Sequence, residues 1–216
     1  MLKQFYSNVK LAFLENKSAI YISIFILIFS LILGYILEPY LYSYFHPVVD
    51  ELSQKVQTGT IKLTFADIFL NNIKIAFQMF FYGIFFCLSA VLLAYNGFFL
   101  GYYVAIQDDL IRVLVMLIPH GVFELTACIL ACSSGLVLFN FFFRFFMSYL
   151  KEDLTLKNSF YKNSDKLTQA IIIFAVSAIL MIIAGFIEVY LTLPIAYFCL
   201  PINCISFLGD CQKECW

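Results

Sequence analysis

Charged side chains are scarce in this sequence. They make up 12% of its 216 residues, whereas hydrophobic residues make up 63%. Soluble domains are about a quarter charged and about half apolar, so this chain has too few polar side chains to cover a soluble globule. Its formal net charge of -1 also lacks the basic excess of a nucleic-acid-binding protein. The composition excludes a soluble domain and predicts an integral membrane protein that binds no nucleic acid.

The sequence also lacks the motifs of common enzymes and of nucleotide-driven pumps. It contains no G-x-x-x-x-G-K-[ST], G-x-S-x-G or H-E-x-x-H pattern, so we expect no catalytic residues, no metal and no cofactor. It has no Gly/Ser-rich linker or low-complexity tract either. We therefore predict a cytoplasmic segment at 1–18, a single transmembrane domain at 19–198, and a cysteine-rich tail at 199–216.

Long apolar runs are abundant, and about 20 apolar residues are needed for a helix to cross a bilayer. Ala19–Leu37 and Gln169–Leu193 each satisfy this requirement. Asn72–Ala105 would be about 50 Å long as one helix, which exceeds the hydrocarbon core of about 30 Å. We therefore predict a helix break at Asn96-Gly97, because this dipeptide readily ends helices.

The region between the first and last runs is predicted to hold three spans. These are Asn72–Ala94, Phe98–Ile118 and Val122–Met147, with Pro119 favouring a new helix start between the last two. Asp108-Asp109 would be costly at membrane depth, which favours a broken or re-entrant helix there. The predicted fold is therefore all-α, a polytopic bundle of about five transmembrane helices with one broken or re-entrant segment.

The lysines indicate the orientation of the chain in the cell membrane. Lys3, Lys10 and Lys17 precede the first span, and four more lysines lie in the loop at about 150–168. Because basic residues are enriched in cytoplasmic segments, the N-terminus and this loop are both predicted to be cytoplasmic. Three crossings between the outside connection and the basic loop give five crossings in all, with the C-terminus outside.

The seven cysteines fall into two groups. Cys87, Cys128 and Cys132 lie within predicted spans, where a thiol usually packs as a small apolar group. The other four lie in the tail: Cys199, Cys204, Cys211 and Cys215. Because the tail is predicted to be outside, two disulfides are the favoured interpretation. Free thiols and a four-thiolate zinc site are the alternatives, the second of which needs a cytoplasmic tail.

The most informative polar residues at predicted membrane depth are His120 and Glu124. With Pro119 as a helix start, the two side chains are four residues apart and share one face. Small residues continue along that face: Ala127, Ala131 and Gly135. Such a stripe lets another helix approach closely, as does the G-x-x-x-G pattern formed by Gly97 and Gly101.

Three roles compete for His120 and Glu124. The first is a buried polar contact, in which Glu124 accepts hydrogen bonds from His120 or from the amides of a neighbouring helix start. The second is proton or ion handling. The third is metal catalysis, although one histidine and one carboxylate supply at most half of a zinc site.

The run Pro119-His120-Gly121-Val122-Phe123-Glu124 resembles the P-H-G-x-x-E signature of the stage II sporulation protein M family. Upstream, Ile68–Asn72, Gly83, and the Asn96-Gly97 pair followed by Gly101 resemble further family positions in the same order and spacing. The resemblance covers about residues 65–193.

This resemblance implies a small polytopic protein with no catalytic activity of its own. In endospore-forming bacteria the family member joins a membrane complex with a peptidoglycan-degrading partner and drives septal wall remodelling during engulfment. Relatives also occur in organisms that make no spores. We therefore expect a non-enzymatic scaffold or assembly subunit in the lipid bilayer. Its expected partners are other integral membrane proteins, a cell-wall-active protein or a second copy of itself. An ion- or proton-coupled transporter or channel subunit using His120 and Glu124 is the alternative.

Overall fold

The computed structural model describes residues 2–57, 65–85, 88–107, 110–151 and 155–192. In these ranges the chain forms seven α-helices and a final π-helical turn, with no strand. The helices are α1 (Leu2–Glu15), α2 (Lys17–Ile36), α3 (Glu38–Gln57), α4 (Phe65–Tyr82), α5 (Leu88–Ala105), α6 (Leu110–Lys151) and α7 (Leu156–Ile187), and the turn is Glu188–Thr192. The predicted all-α fold class is confirmed. Asp108, Asp109, Cys87 and the four tail cysteines lie outside the described residues.

Four helices in the described ranges are long and apolar enough to cross a membrane. They are α2, α5, the Leu117–Lys151 part of α6, and Leu156–Leu191, which continues α7 into the π-helical turn. α4 is not among them because Asn71, Asn72 and Lys74 interrupt its apolar residues. The predicted multi-pass helical bundle is therefore confirmed.

α2 and α5 run side by side in the same direction. A Cβ atom at Gly97 would meet the carbonyl of Leu27, and one at Gly101 would meet the carbonyl of Leu31. Because residue numbers increase in the same direction along both helices at these contacts, the two helices are parallel. The end of α2 and the start of α5 therefore lie at opposite ends of the bundle. The chain must recross the bundle between them, and α4, which packs against α6 and α7, is the apolar helix placed to do so.

One helix break lies elsewhere than predicted. α5 continues through Asn96 and Gly97, so the break predicted at this dipeptide is wrong, as is a single span over Asn72–Ala94. The chain instead turns at residues 83–85, whose amides each donate to the carbonyl three residues earlier. Asn96 fits inside the helix because its side-chain amide donates to the Leu92 carbonyl at 2.8 Å.

Pro119 does not begin a helix. It lies inside α6, so the predicted separation of Phe98–Ile118 from Val122–Met147 at this residue is wrong. The interruption falls earlier, between Ala105 and Leu110. An interior proline removes one backbone hydrogen bond, but membrane-spanning helices tolerate this where neighbouring helices and side chains satisfy the freed groups.

α6 and α7 extend beyond the start of α2. The 20 residues of α2 span about 30 Å, the thickness of a hydrocarbon core. Asn16, directly before α2, donates a 2.8 Å hydrogen bond to Gln169 of α7, so Gln169 lies level with the start of α2. α7 begins at Leu156, with Thr155 as its N-cap, and so extends about 20 Å past this level. We call residues 139–151 and 156–168 the basal hairpin.

Candidate functional site

His120 and Glu124 lie one turn apart on α6, and both are partly buried. They share a helical face as predicted, although the helix does not begin at Pro119. Glu124 forms no hydrogen bond or ion pair with any residue in the described ranges. The described residues therefore do not form the polar contact that was predicted between His120 and Glu124.

Among the described residues, Glu124 has a charged neighbour in Glu188, which lies in the π-helical turn that follows α7. The two carboxyl groups are close enough for their charges to interact. Within the described ranges, no group of three His, Cys, Asp or Glu residues is arranged to hold a metal ion. Sequence reasoning missed this pair because no spacing rule relates residues on different helices.

The small-residue face of α6 contacts helices of the same chain. Ala127 and Ala131 are fully buried. The Ser177 hydroxyl of α7 donates a 2.7 Å hydrogen bond to the Ala127 carbonyl. Cys128 and Cys132 are buried on α6 as well, which places both of these predicted packing cysteines in the core. Thus α7 already packs against the helical face that these small residues form.

Gly83 and Gly135 bring α4, α5 and α6 together. A Cβ atom at Gly83 would overlap the backbone of Gly135. One at Gly135 would meet the Met79 carbonyl of α4 and the Ser89 hydroxyl of α5. Ser89 also donates a hydrogen bond to the Met79 carbonyl. The turn after α4 therefore packs directly against α6 at Gly135. A methyl group at either glycine would force the helices apart.

Gly97 and Gly101 lie in the contact of α5 with α2. Gly34 of α2 completes this contact, since a Cβ atom there would overlap the Phe98 carbonyl. Sequence reasoning did not select Gly34, although Ser30 and Gly34 are small residues four apart in an otherwise bulky apolar run. All the predicted packing glycines on α5 and α6 thus contact other helices of this chain.

A second polar cluster lies at the basal end of the bundle, where α1 meets α7. Lys166 forms a 2.9 Å ion pair with Glu15, and the Gln169 side-chain amide donates to the same carboxylate at 2.8 Å. The hydrogen bond from Lys166, followed by that from Gln169, lowers the pKa of Glu15 below its ordinary value. The sequence indicated only that Lys166 belongs to a basic loop.

Comparison with known proteins supports the resemblance found in the sequence. The model of a family described as Stage II sporulation protein M matches residues 22–193, a range that begins within α2 and so extends the similarity toward the N-terminus. An uncharacterized protein of Methanocaldococcus jannaschii is 32% identical over 146 residues, covering 65% of this chain and 77% of that relative. No solved structure matches the chain.

Proposed function

This chain belongs to the stage II sporulation protein M family, and on that premise we propose that it is a non-enzymatic scaffold or assembly subunit of a membrane protein complex. The observation that supports this proposal is the apolar surface of the basal hairpin. A scaffold needs a surface that its own fold leaves uncovered, and the small-residue faces of the bundle are covered by neighbouring helices.

Phe143, Phe146 and Leu150 form one exposed apolar face on the α6 arm of the basal hairpin. Their spacing of three and four residues puts them on the same side of the helix, and they are 51%, 55% and 69% exposed. The α7 arm adds exposed Leu156 and Tyr161. We place this face outside the hydrocarbon core, where an apolar patch marks a contact with another protein or with the membrane surface, and we propose that it contacts another protein.

We place the basal hairpin in the cytoplasm. The Glu15–Lys166 ion pair brings the N-terminal segment and the basic loop to the same end of the bundle. Basic residues are enriched on the cytoplasmic side, so the N-terminus lies there with the hairpin. With α4 as the fifth crossing, the C-terminal tail lies outside, where cysteines form disulfides.

The partners that we propose are other integral membrane proteins. In a spore-forming host, the expected partner is a peptidoglycan-degrading protein engaged in septal wall remodelling. The relative in Methanocaldococcus jannaschii bears no such description. The general role of assembly subunit is therefore the one that we propose for this chain.

Affinity purification in mild detergent, with quantification of co-purifying membrane proteins, tests this function. We expect the triple variant Phe143→Ala, Phe146→Ala, Leu150→Ala to lose partners that the wild-type chain retains. The matched control is Phe25→Ala, Ile28→Ala, Phe29→Ala on α2, which has similar spacing and exposure but lies within the span. Equal recovery of partners with both variants would contradict the proposal. So would a wild-type chain that enriches no membrane protein over an unrelated tagged membrane protein.

A further inference from the structure

α3 packs against the last turns of α5 through a single aromatic side chain. The Phe45 ring lies among three rings of α5, with its centroid 5.7 Å from that of Phe98, 6.3 Å from that of Phe99 and 5.4 Å from that of Tyr102. This contact is at the end of the bundle opposite the basal hairpin, which we call the distal end. The scaffold function proposed above does not use it.

α3 does not continue the axis of α2. The helix is interrupted at Leu37, whose ψ is 1°. A Cβ atom at Gly101 would lie 3.0 Å from the Tyr35 amide nitrogen, so these two residues are level with each other. Phe45 is ten residues beyond Tyr35 and would be about 15 Å farther along a straight helix. Because Phe45 instead contacts Tyr102, next to Gly101, α3 bends sideways across α5.

The contact of α3 with α5 lies at the depth of the lipid headgroups. α2 spans about 30 Å, the thickness of a hydrocarbon core, and ends at Ile36. A headgroup layer therefore begins near Ile36, where α3 leaves α2. On α7 the same level is reached at Tyr190, which follows Gln169 by about 30 Å, and Gln169 is level with the start of α2.

The side of α5 that α3 covers is a lipid-facing side. Val91 and Tyr95 are 61% and 54% exposed, and Tyr95 is one turn before Phe99 on the same side of the helix. Exposed apolar side chains of a membrane-crossing helix contact lipid. Since α3 lies over the distal end of this side, the face of α3 that points away from α5 is directed toward lipid as well.

That outward face carries Tyr40 and Tyr44. They are four residues apart and therefore on one side of α3, and they are 80% and 75% exposed, whereas Leu41 and Phe45 are half-buried. Tyrosine combines an apolar ring with a polar hydroxyl and is enriched where the hydrocarbon core meets water. Tyr190, at the same level on α7, is also exposed.

We propose that α3 is an interfacial helix, whose Tyr40 and Tyr44 bind the headgroup layer of the bilayer at the distal end of the bundle. The rings contact the start of the acyl chains and the hydroxyls lie among the headgroups. Helices with one apolar and one polar side bind membrane interfaces in this way. This anchor fixes the depth at which the distal end of the bundle lies in the membrane.

Fluorescence quenching in phosphatidylcholine vesicles tests the depth of this face. The sequence has one tryptophan, so Trp216→Phe supplies a background without tryptophan, in which Tyr44→Trp places a reporter on α3. Lipid brominated near the headgroup end of its acyl chains should cause a larger loss of fluorescence than lipid brominated near the chain terminus. Tyr95→Trp is the matched control, because Tyr95 is exposed on α5 about 10 Å before Tyr102, and its order of quenching should be the reverse.

Two results would overturn the proposal. If aqueous iodide quenches Tyr44→Trp and neither brominated lipid does, the face contacts water or a protein. If Tyr44→Trp shows the same order of quenching as Tyr95→Trp, α3 lies within the hydrocarbon core. Tyr190→Trp tests the level without altering α3, and we expect it to show the order expected of Tyr44→Trp. Stronger quenching of Tyr190→Trp by the deeper bromine would contradict the headgroup level assigned to the distal end.

Discussion

The side-chain amide of Asn16 donates a 2.8 Å hydrogen bond to the side-chain oxygen of Gln169 and so joins the α1–α2 corner to α7. Lys166 donates to the same oxygen at 2.8 Å and pairs with Glu15, so four polar side chains form one connected network. The network holds the N-terminal helix against the basal hairpin. Three of its members, Glu15, Lys166 and Gln169, also line a groove between α1, α6 and α7.

The ion pair makes stability depend on pH in acid. Because the pKa of Glu15 is lowered in the folded state, its contribution is complete above the unfolded value and is lost as the pH falls through the folded value. The thermal midpoint of the detergent-solubilised chain should therefore fall as the pH drops below about 4.5, the ordinary value for this carboxyl group. Lys166→Met should flatten this part of the profile. A wild-type profile that matches that of Lys166→Met would contradict the assignment.

Gly135→Ala should destabilise the bundle. The added methyl group would meet the backbone carbonyl of Met79, which cannot move without shifting α4, and overpacking of this kind costs about 1–3 kcal/mol. Gly121→Ala on the same helix is the control, because the side chain that its Cβ would meet among the described residues is Leu117, at 3.4 Å. Replacing a helical glycine with alanine stabilises by up to about 1 kcal/mol, so the control should unfold no earlier than wild type. Unfolding in mixed micelles measures both variants.

Ser177→Ala should cost little. It removes the hydrogen bond to the Ala127 carbonyl, and bonds between transmembrane helices contribute about 0.6 kcal/mol on average. Ser164→Ala on the same helix is the comparison, since the bond that its hydroxyl forms among the described residues stays within α7, to the Tyr161 carbonyl. Equal unfolding midpoints for the two variants would show that the contact between α6 and α7 does not depend on this bond.

Glu124→Gln should leave complex formation intact. Glutamine fills nearly the same volume, and a scaffold does not need an ionisable group at this position. Reconstitution into vesicles separates this role from transport, because loss of a measured ion or proton flux with complex formation intact would favour the transporter alternative. Glu188→Gln, measured in parallel, tests whether the carboxyl pair acts as a unit.

The four tail cysteines should react with a membrane-impermeant thiol reagent from outside intact cells, and only after reduction. This follows from an outside C-terminus and two disulfides among Cys199, Cys204, Cys211 and Cys215. Free thiols would react without reduction. Reaction only after the membrane is opened would reverse the orientation and would move the basal hairpin out of the cytoplasm.

Membrane insertion and helical structure follow from composition and local pattern alone. Without water, the backbone of an apolar run must bond within itself, so any chain with these runs forms membrane-crossing helices. The packing positions were also predictable, since Gly97, Gly101, Ala127, Ala131 and Gly135 follow spacings that put small groups on one helical face. These properties depend on residues near in sequence.

Tertiary structure decided where the helices break and which polar groups meet. The Asn96-Gly97 dipeptide could end a helix, but α2 packs on Gly97 and the helix continues, while the chain turns at Gly83 against Gly135. Pro119 could begin a helix, but it lies within α6. The charge interaction of Glu124 with Glu188 and the ion pair of Glu15 with Lys166 both join residues far apart in the chain. Such outcomes depend on which helix lies alongside, and a local pattern carries no information about a neighbour that is distant in sequence.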